Sequence, residues 1–134
     1  MNVSMPIIMD STPLHYATHN GHVDATRLLI DHGANVNAKS NRGMTPLHEA
    51  SYKGYTDIMQ LLIDNGANIN EKSDMRWTPL HDASLKDNIN AIQLLIDNGA
   101  NINEKDICGD TPLYYAIRRD HTNAVKLLRA NGAI

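Results

Sequence analysis

Thr12-Pro13-Leu14-His15 returns as Thr45-Pro46-Leu47-His48 and as Thr78-Pro79-Leu80-His81. It appears once more, with tyrosine in the last place, as Thr111-Pro112-Leu113-Tyr114. Each copy starts 33 residues after the one before. Self-similarity at a fixed period of roughly 20–50 residues marks a stack whose units bury a core only against their neighbours. The function is thereby narrowed to what a stacked surface does.

Outward from the tetrapeptide, each threonine is a capping hydroxyl followed by proline at the first helical position, which predicts a helix start at Thr12, Thr45, Thr78 and Thr111. The first helix of each unit is expected to stop near Gly21 and Gly54, where a residue without a Cβ takes the left-handed conformation. Asp87 and Asp120 replace those glycines, and aspartate enters that region at modest cost. A second helix follows around Leu28-Leu29, Leu61-Leu62, Leu94-Leu95 and Leu127-Leu128, ending at Gly33, Gly66, Gly99 and Gly132. The polar segment between units, such as Asn35 to Met44, is long enough to reach out as a hairpin.

These residues resemble the ankyrin repeat. The second unit carries the pattern in Thr45, Pro46, Leu47, His48, Ala50, Gly54, Leu61, Leu62, Gly66, Ala67, Asn68 and Asn70, and the match covers nearly the whole chain. The resemblance implies an all-α-dominated repeat solenoid of stacked helix-turn-helix units with β-hairpin loops projecting sideways. It also implies a histidine that hydrogen-bonds locally and fixes the Thr-Pro turn, so the turn at Tyr114 should be looser. Asn37, Asn70 and Asn103 occupy the position hydroxylated in some animal ankyrin repeats; a structural role in the turn is the other reading.

We expect one domain over residues 1–134, in four repeats of about 7–33, 34–66, 67–99 and 100–134. Exposed ends of a stack need a more polar outer face, and the first and last repeats are read as caps. Thr26 stands where the other units have Met59, Ile92 and Val125, and Arg129 stands where they have Ile30, Ile63 and Ile96. Apolar Ile7, Ile8, Met9 and Ile134 leave open the alternative of a chain cut from a longer array.

With 42% hydrophobic and 20% charged residues and a net charge of −3, the composition is that of a folded domain with interspersed charges. No apolar run approaches the roughly 18 residues of a membrane span, and the first residues lack a secretion signal. One cysteine, Cys108, forms no internal disulfide, which fits a reducing compartment. The expected location is intracellular and cytoplasmic, with the nucleus or a host-cell cytosol as variants.

His15, His48 and His81 recur in register, but stacked helices about 8–10 Å apart do not bring equivalent side chains onto one metal with bonds of about 2 Å. No zinc spacing, phosphate-binding glycine loop or acid/base pair in an evident cleft is present, so neither a metal nor a cofactor is expected, and no catalysis. Nucleic acid is not expected as a partner, because the net charge is negative and the basic excess is confined to Arg118, Arg119, Lys126 and Arg129. That group either contacts an acidic partner or is an ordinary solvated helix face.

Residues Leu61 to Lys72 and Leu94 to Lys105 are identical, a trace of duplication, yet the segments that follow diverge at once. The resemblance places these variable tips and the exposed first-helix positions on a concave, partner-contacting face. There Met44, Tyr52, Met75, Trp77, Leu85 and Ile107 are expected to form an apolar strip, edged by Lys53, Lys86, Glu49 and Asp82. Trp77, the single tryptophan, is read either as an anchor of the kind that dominates binding interfaces or as cover for the neighbouring hairpin. Arg76 occupies the place of Gly43 and Gly109; a positive φ there costs a non-glycine residue roughly 1 kcal/mol. Either that hairpin is shaped differently or Arg76 contacts the partner.

The expectation is a monomeric module that binds another protein, with no nucleic acid, membrane or small-molecule substrate. Its site residues would be Met44, Tyr52, Lys53, Met75, Arg76, Trp77, Leu85, Lys86, Ile107, Arg118 and Arg119. The alternative is a regulatory or targeting piece of a larger enzyme or host-directed effector.

Overall fold

A computed structural model describes residues 11–134. Among the described residues eight helices alternate in four pairs: α1 Pro13–His19 and α2 Val23–Asp31, α3 Pro46–Lys53 and α4 Thr56–Asp64, α5 Pro79–Leu85 and α6 Ile89–Asp97, α7 Pro112–Arg118 and α8 Thr122–Ala130. Helices α1, α3, α5 and α7 form one row and α2, α4, α6 and α8 the other, and neighbours pack more closely in the first row. Tighter packing makes the first row the inner side of the stack. Among the described residues no helix is long and apolar enough to cross a membrane.

Each first helix starts where the sequence predicts. Thr12, Thr45, Thr78 and Thr111 are extended N-caps, each followed by proline. The break after the first helix is left-handed in every unit: Gly21 has φ 72°, Gly54 74°, Asp87 57° and Asp120 56°. At Gly54 the need is also steric, because a Cβ would stand 2.8 Å from the Asn88 side chain. That amide reaches back one repeat to donate to the Ser51 and Tyr52 carbonyls, at 3.0 and 2.9 Å.

The core lies between the two rows and runs the length of the stack. The tetrapeptide leucines Leu14, Leu47, Leu80 and Leu113 are buried, as are Ala17, Ala50, Ala83 and Ala116 one turn on. Against them pack Ile58, Met59 and Leu62, then Ile92 and Leu95, then Leu128. Truncating such a leucine removes roughly 2–5 kcal/mol.

Thr26 corrects an expectation about the first cap. It is fully buried, and its hydroxyl donates to the His22 carbonyl at 2.7 Å, so it sits on the packed side of α2 and its polarity is consumed internally. Arg129 is exposed, as a polar outer face requires, while Leu28 leaves an apolar side chain on the surface. Ile7, Ile8 and Met9 lie outside the described residues.

The loops between units close tightly. Ser40 N–H donates to the Met44 carbonyl, Ser73 N–H to Trp77 and Asp106 N–H to Asp110, at 2.8–2.9 Å. No described residue is in a β-strand, so the projections are narrow turns without a ladder. One backbone bond ties each tip to the next, Asp74 N–H to the Arg42 carbonyl and Ile107 N–H to the Met75 carbonyl, both 3.0 Å.

Candidate partner-binding surface

Two rows of side chains hold the repeats in register and so fix where the surface residues stand. In the second unit, Thr45 N–H donates to His48 Nδ1 at 3.0 Å, with the Thr45 hydroxyl 2.8 Å from the same nitrogen. The ring proton therefore sits on Nε2, which donates to the Trp77 carbonyl of the next unit at 2.8 Å. His15 reaches the Met44 carbonyl at 2.8 Å and His81 the Asp110 carbonyl at 3.0 Å. The histidine is thus a bridge between repeats as well as a local clamp. Burial pushes His48 down to about 4 and lowers His81 as well, so both rings are neutral at physiological pH. At Tyr114 only the threonine cap remains, Tyr114 N–H donating to Thr111 Oγ1 at 3.3 Å.

Asparagine makes the second row. Asn37 donates to the Gly66 carbonyl and accepts from Asn68 N–H, at 3.0 and 2.8 Å. Asn70 repeats this with Gly99 and Asn101, and Asn103 with Gly132 and Ile134. Both ends of each amide are therefore engaged between repeats.

On this frame the expected site residues separate by exposure. Met75 and Ile107 are more than half exposed, at 54% and 60%, on adjacent turn tips, and Tyr52 is exposed on α3. Lys53, Lys86, Arg76, Arg118 and Arg119 are exposed, and Lys86 Nζ lies 5.0 Å from the centroid of the Tyr52 ring. Met44 is half-buried, and its carbonyl is the acceptor for His15. Arg76 has φ 62°, matching Gly43 at 72° and Gly109 at 82°, so its turn has the same left-handed form and the arginine bears the strain.

Trp77 and Leu85 are half-buried and meet Arg118 and Arg119 in a groove of about 420 Å³ between the third and fourth repeats. Asp110, Tyr114 and Tyr115 complete its wall. Trp77 is held from behind: its indole N–H donates to Asp106 Oδ2 at 2.9 Å, its ring stacks on His81 at 5.7 Å and it meets Tyr115 at 4.9 Å. Its exposed part is accordingly presented in one orientation.

Asp106 organises this corner. Oδ1 accepts from the backbone N–H groups of Cys108 and Asp110 at 2.9 Å, and Oδ2 accepts from Trp77 and from the Tyr115 hydroxyl. Those donors hold the Asp106 carboxyl below its usual range against the opposing effect of burial, which is the largest single influence. Burial, then the bond to Asp106, pushes the Tyr115 phenol up. Asp106, Cys108 and Asp110 bring possible metal-ligand atoms within 4.8 Å of one another, but both oxygens of Asp106 are already committed, which makes the trio a turn and not a metal centre. Sequence reading missed Tyr114 and Tyr115 as groove walls. Their signal was present in the tyrosines replacing His81 and Asp82 of the preceding repeat.

The acidic edge assigned to the apolar strip is corrected. Asp82 is 2% exposed, with Oδ2 lacking a hydrogen-bond partner, and burial followed by repulsion from Glu49 raises its carboxyl well above the usual range. Its short side chain stays within the packed first-helix row. Glu49 is half-buried and paired with His19 at 2.9 Å.

The capped Thr-Pro helices, the histidine bridges and the left-handed helix stops define a repeat protein of stacked helix pairs. The chain belongs to the ankyrin-repeat family: residues 2–73 match ankyrin repeats described as three copies, and residues 80–129 match ankyrin repeats described as many copies. Comparison with curated proteins gives no match. Ankyrin repeats are generally protein–protein interaction modules.

Proposed function

We propose that this protein binds a partner protein through the inner side of the stack, using the first helices and the turn tips, and has no catalysis of its own. The observation that carries the reading is the exposure of Tyr52, Met75 and Ile107 on elements otherwise fixed by hydrogen bonds, beside a groove with aromatic walls at Trp77, Tyr114 and Tyr115. A frame already fixed by hydrogen bonds has little backbone entropy left to lose on binding, so the cost of ordering is confined to the side chains it presents, and a few such anchors can dominate affinity.

The test is affinity capture from cell lysate with the wild type and with a Tyr52→Ala, Met75→Ala double variant, both shown to be folded by circular dichroism. These two positions are preferred over Trp77, whose removal would also disturb Asp106, His81 and Tyr115. Loss of a specific protein from the variant supports the reading. Equal capture by both forms moves the site elsewhere.

A further inference from the structure

Asparagine is followed by glycine at four places, Asn20-Gly21, Asn65-Gly66, Asn98-Gly99 and Asn131-Gly132. With no side chain on the second residue, its backbone nitrogen has open access to the asparagine side chain. That nitrogen gives up its proton and attacks Cγ. The new C–N bond closes a five-membered succinimide, the Cγ–Nδ2 bond breaks and ammonia leaves. Water then opens the ring at either carbonyl, giving aspartate or isoaspartate, whose backbone runs through Cβ.

Each of the four asparagines is exposed and caps the C-terminus of a helix. Their reacting groups are tied alike: the side-chain amide donates to the carbonyl four residues back at 2.8–2.9 Å, and the glycine N–H to the carbonyl three residues before it at 3.1–3.2 Å. The same local opening of a helix end is therefore needed at every site, and the surroundings set the order of reaction. Gly21 is crowded, because a Cβ there would stand 3.1 Å from the Tyr55 ring, whereas Gly66, Gly99 and Gly132 have nothing within 4 Å. Asn65 and Asn98 directly follow Asp64 and Asp97, exposed carboxylates that oppose loss of the glycine proton. Asn131 follows Ala130, and the exposed cation Arg129 precedes that alanine, so the charge beside this pair favours the anionic step.

We propose that Asn131 is a spontaneous modification site, deamidating ahead of the other three, and that its conversion loosens the last repeat from the third. The amide that bonds the Leu127 carbonyl at 2.9 Å becomes a carboxylate, which donates nothing and stands at the negative end of the α8 dipole. Isoaspartate also lengthens the backbone immediately before Gly132, whose carbonyl accepts from Asn103 at 3.1 Å in the asparagine row. One reaction thus removes a helix-end bond and a rung of that row.

The test holds the folded protein at mildly alkaline pH and body temperature, then reads a tryptic digest by tandem mass spectrometry for the mass gained when an amide becomes an acid. Cleavage after Arg129 isolates Asn131 in the peptide Ala130 to Ile134. Asn131 is expected to convert about fivefold faster than Asn65 or Asn98. Ala130→Asp, at an exposed position, is expected to remove that lead with unchanged circular dichroism. Equal rates at the three sites overturn the proposal. So does an undiminished lead in Ala130→Asp, which would trace the order to looser packing and not to charge. The Ile134 amide donates to Asn103 Oδ1 at 3.2 Å, and its hydrogen exchange is expected to quicken in the converted protein. Exchange as slow as before conversion overturns the loosening of the last repeat.

Discussion

His48 Nε2 lies 2.8 Å from the Trp77 carbonyl oxygen, so a ring belonging to one repeat donates its single proton to the backbone of the next. The bond needs a neutral imidazole whose other nitrogen is an acceptor. Because the folded ring titrates at about 4, below the ordinary 6.5, the unfolded chain binds the extra proton between those values. The stabilisation is complete above pH 6.5 and is lost as pH falls from there towards 4, by roughly 3 kcal/mol at most for this ring. Urea unfolding at pH 7.5 and 5 should show the loss, and His48→Ala should be less stable at pH 7.5 with a flatter acid limb. An unchanged slope in the variant would assign the acid sensitivity to other groups.

Asp82 works in the opposite sense. Its carboxyl is raised in the fold, so its contribution is fully present below the ordinary 3.8 and declines as pH rises towards the folded value. At neutral pH the buried acid is a liability. Asp82→Asn should raise stability at pH 7 by about 1 kcal/mol or more, with the gain shrinking as pH falls and nearly gone by about pH 4. Thermal melts at the two pH values check it, and a lower melting temperature at pH 7 would mean that the carboxylate has a compensating partner.

Asp106 joins Trp77, Tyr115 and its own turn, so Asp106→Ala strands an indole N–H, a phenol and two backbone N–H groups. The expected cost is about 2–4 kcal/mol, from hydrogen bonds to a charged acceptor lost in a buried setting. Trp77 is the single tryptophan, so its emission reports this corner directly and should shift to the red before global unfolding. Emission unchanged from wild type would show that stacking on His81 and Tyr115 alone holds the ring.

Arg76 bears a left-handed backbone in the place where the neighbouring turns have glycine. Arg76→Gly should raise the melting temperature by a few degrees, through removal of about 1 kcal/mol of strain. A fall would show that contacts of the arginine side chain outweigh the backbone cost.

Interruption of the asparagine row should loosen adjacent repeats without touching the core. Asn70→Ala removes the bonds to the Gly99 carbonyl and from Asn101 N–H and should cost about 1–2 kcal/mol. Hydrogen exchange would place the loss at the Asn101 amide first. Protection there equal to wild type would remove Asn70 from the account of inter-repeat coupling.

Much of the fold was legible because its signals are local. A threonine before proline starts a helix through its own backbone neighbours, and a glycine or aspartate at a left-handed position ends one, so the four first helices follow from residues within a few places of each end, whereas the second helices start at His22, Tyr55, Asn88 and His121 without a side-chain cap. The strain at Arg76 was readable for the same reason. The surface was less legible. Exposed Tyr52, Met75 and Ile107 stand where the repeat pattern puts them, but Asp82, assigned to the rim, is buried, and the Tyr114 and Tyr115 walls of the groove were not anticipated.

The sequence by itself determined the period, the starts of the first helices, the glycine and aspartate stops, the register of the histidine and asparagine rows and the family, since each rests on residue identity at a fixed spacing. Only the tertiary structure decided that Trp77 is pinned by Asp106, that Thr26 faces inward, and that Leu85, Arg118 and Arg119 converge with Trp77 on one groove. The reason is physical. Helix ends are set by bonds spanning a few residues, whereas burial and convergence depend on how side chains some 30 residues apart fill the space between two stacked repeats.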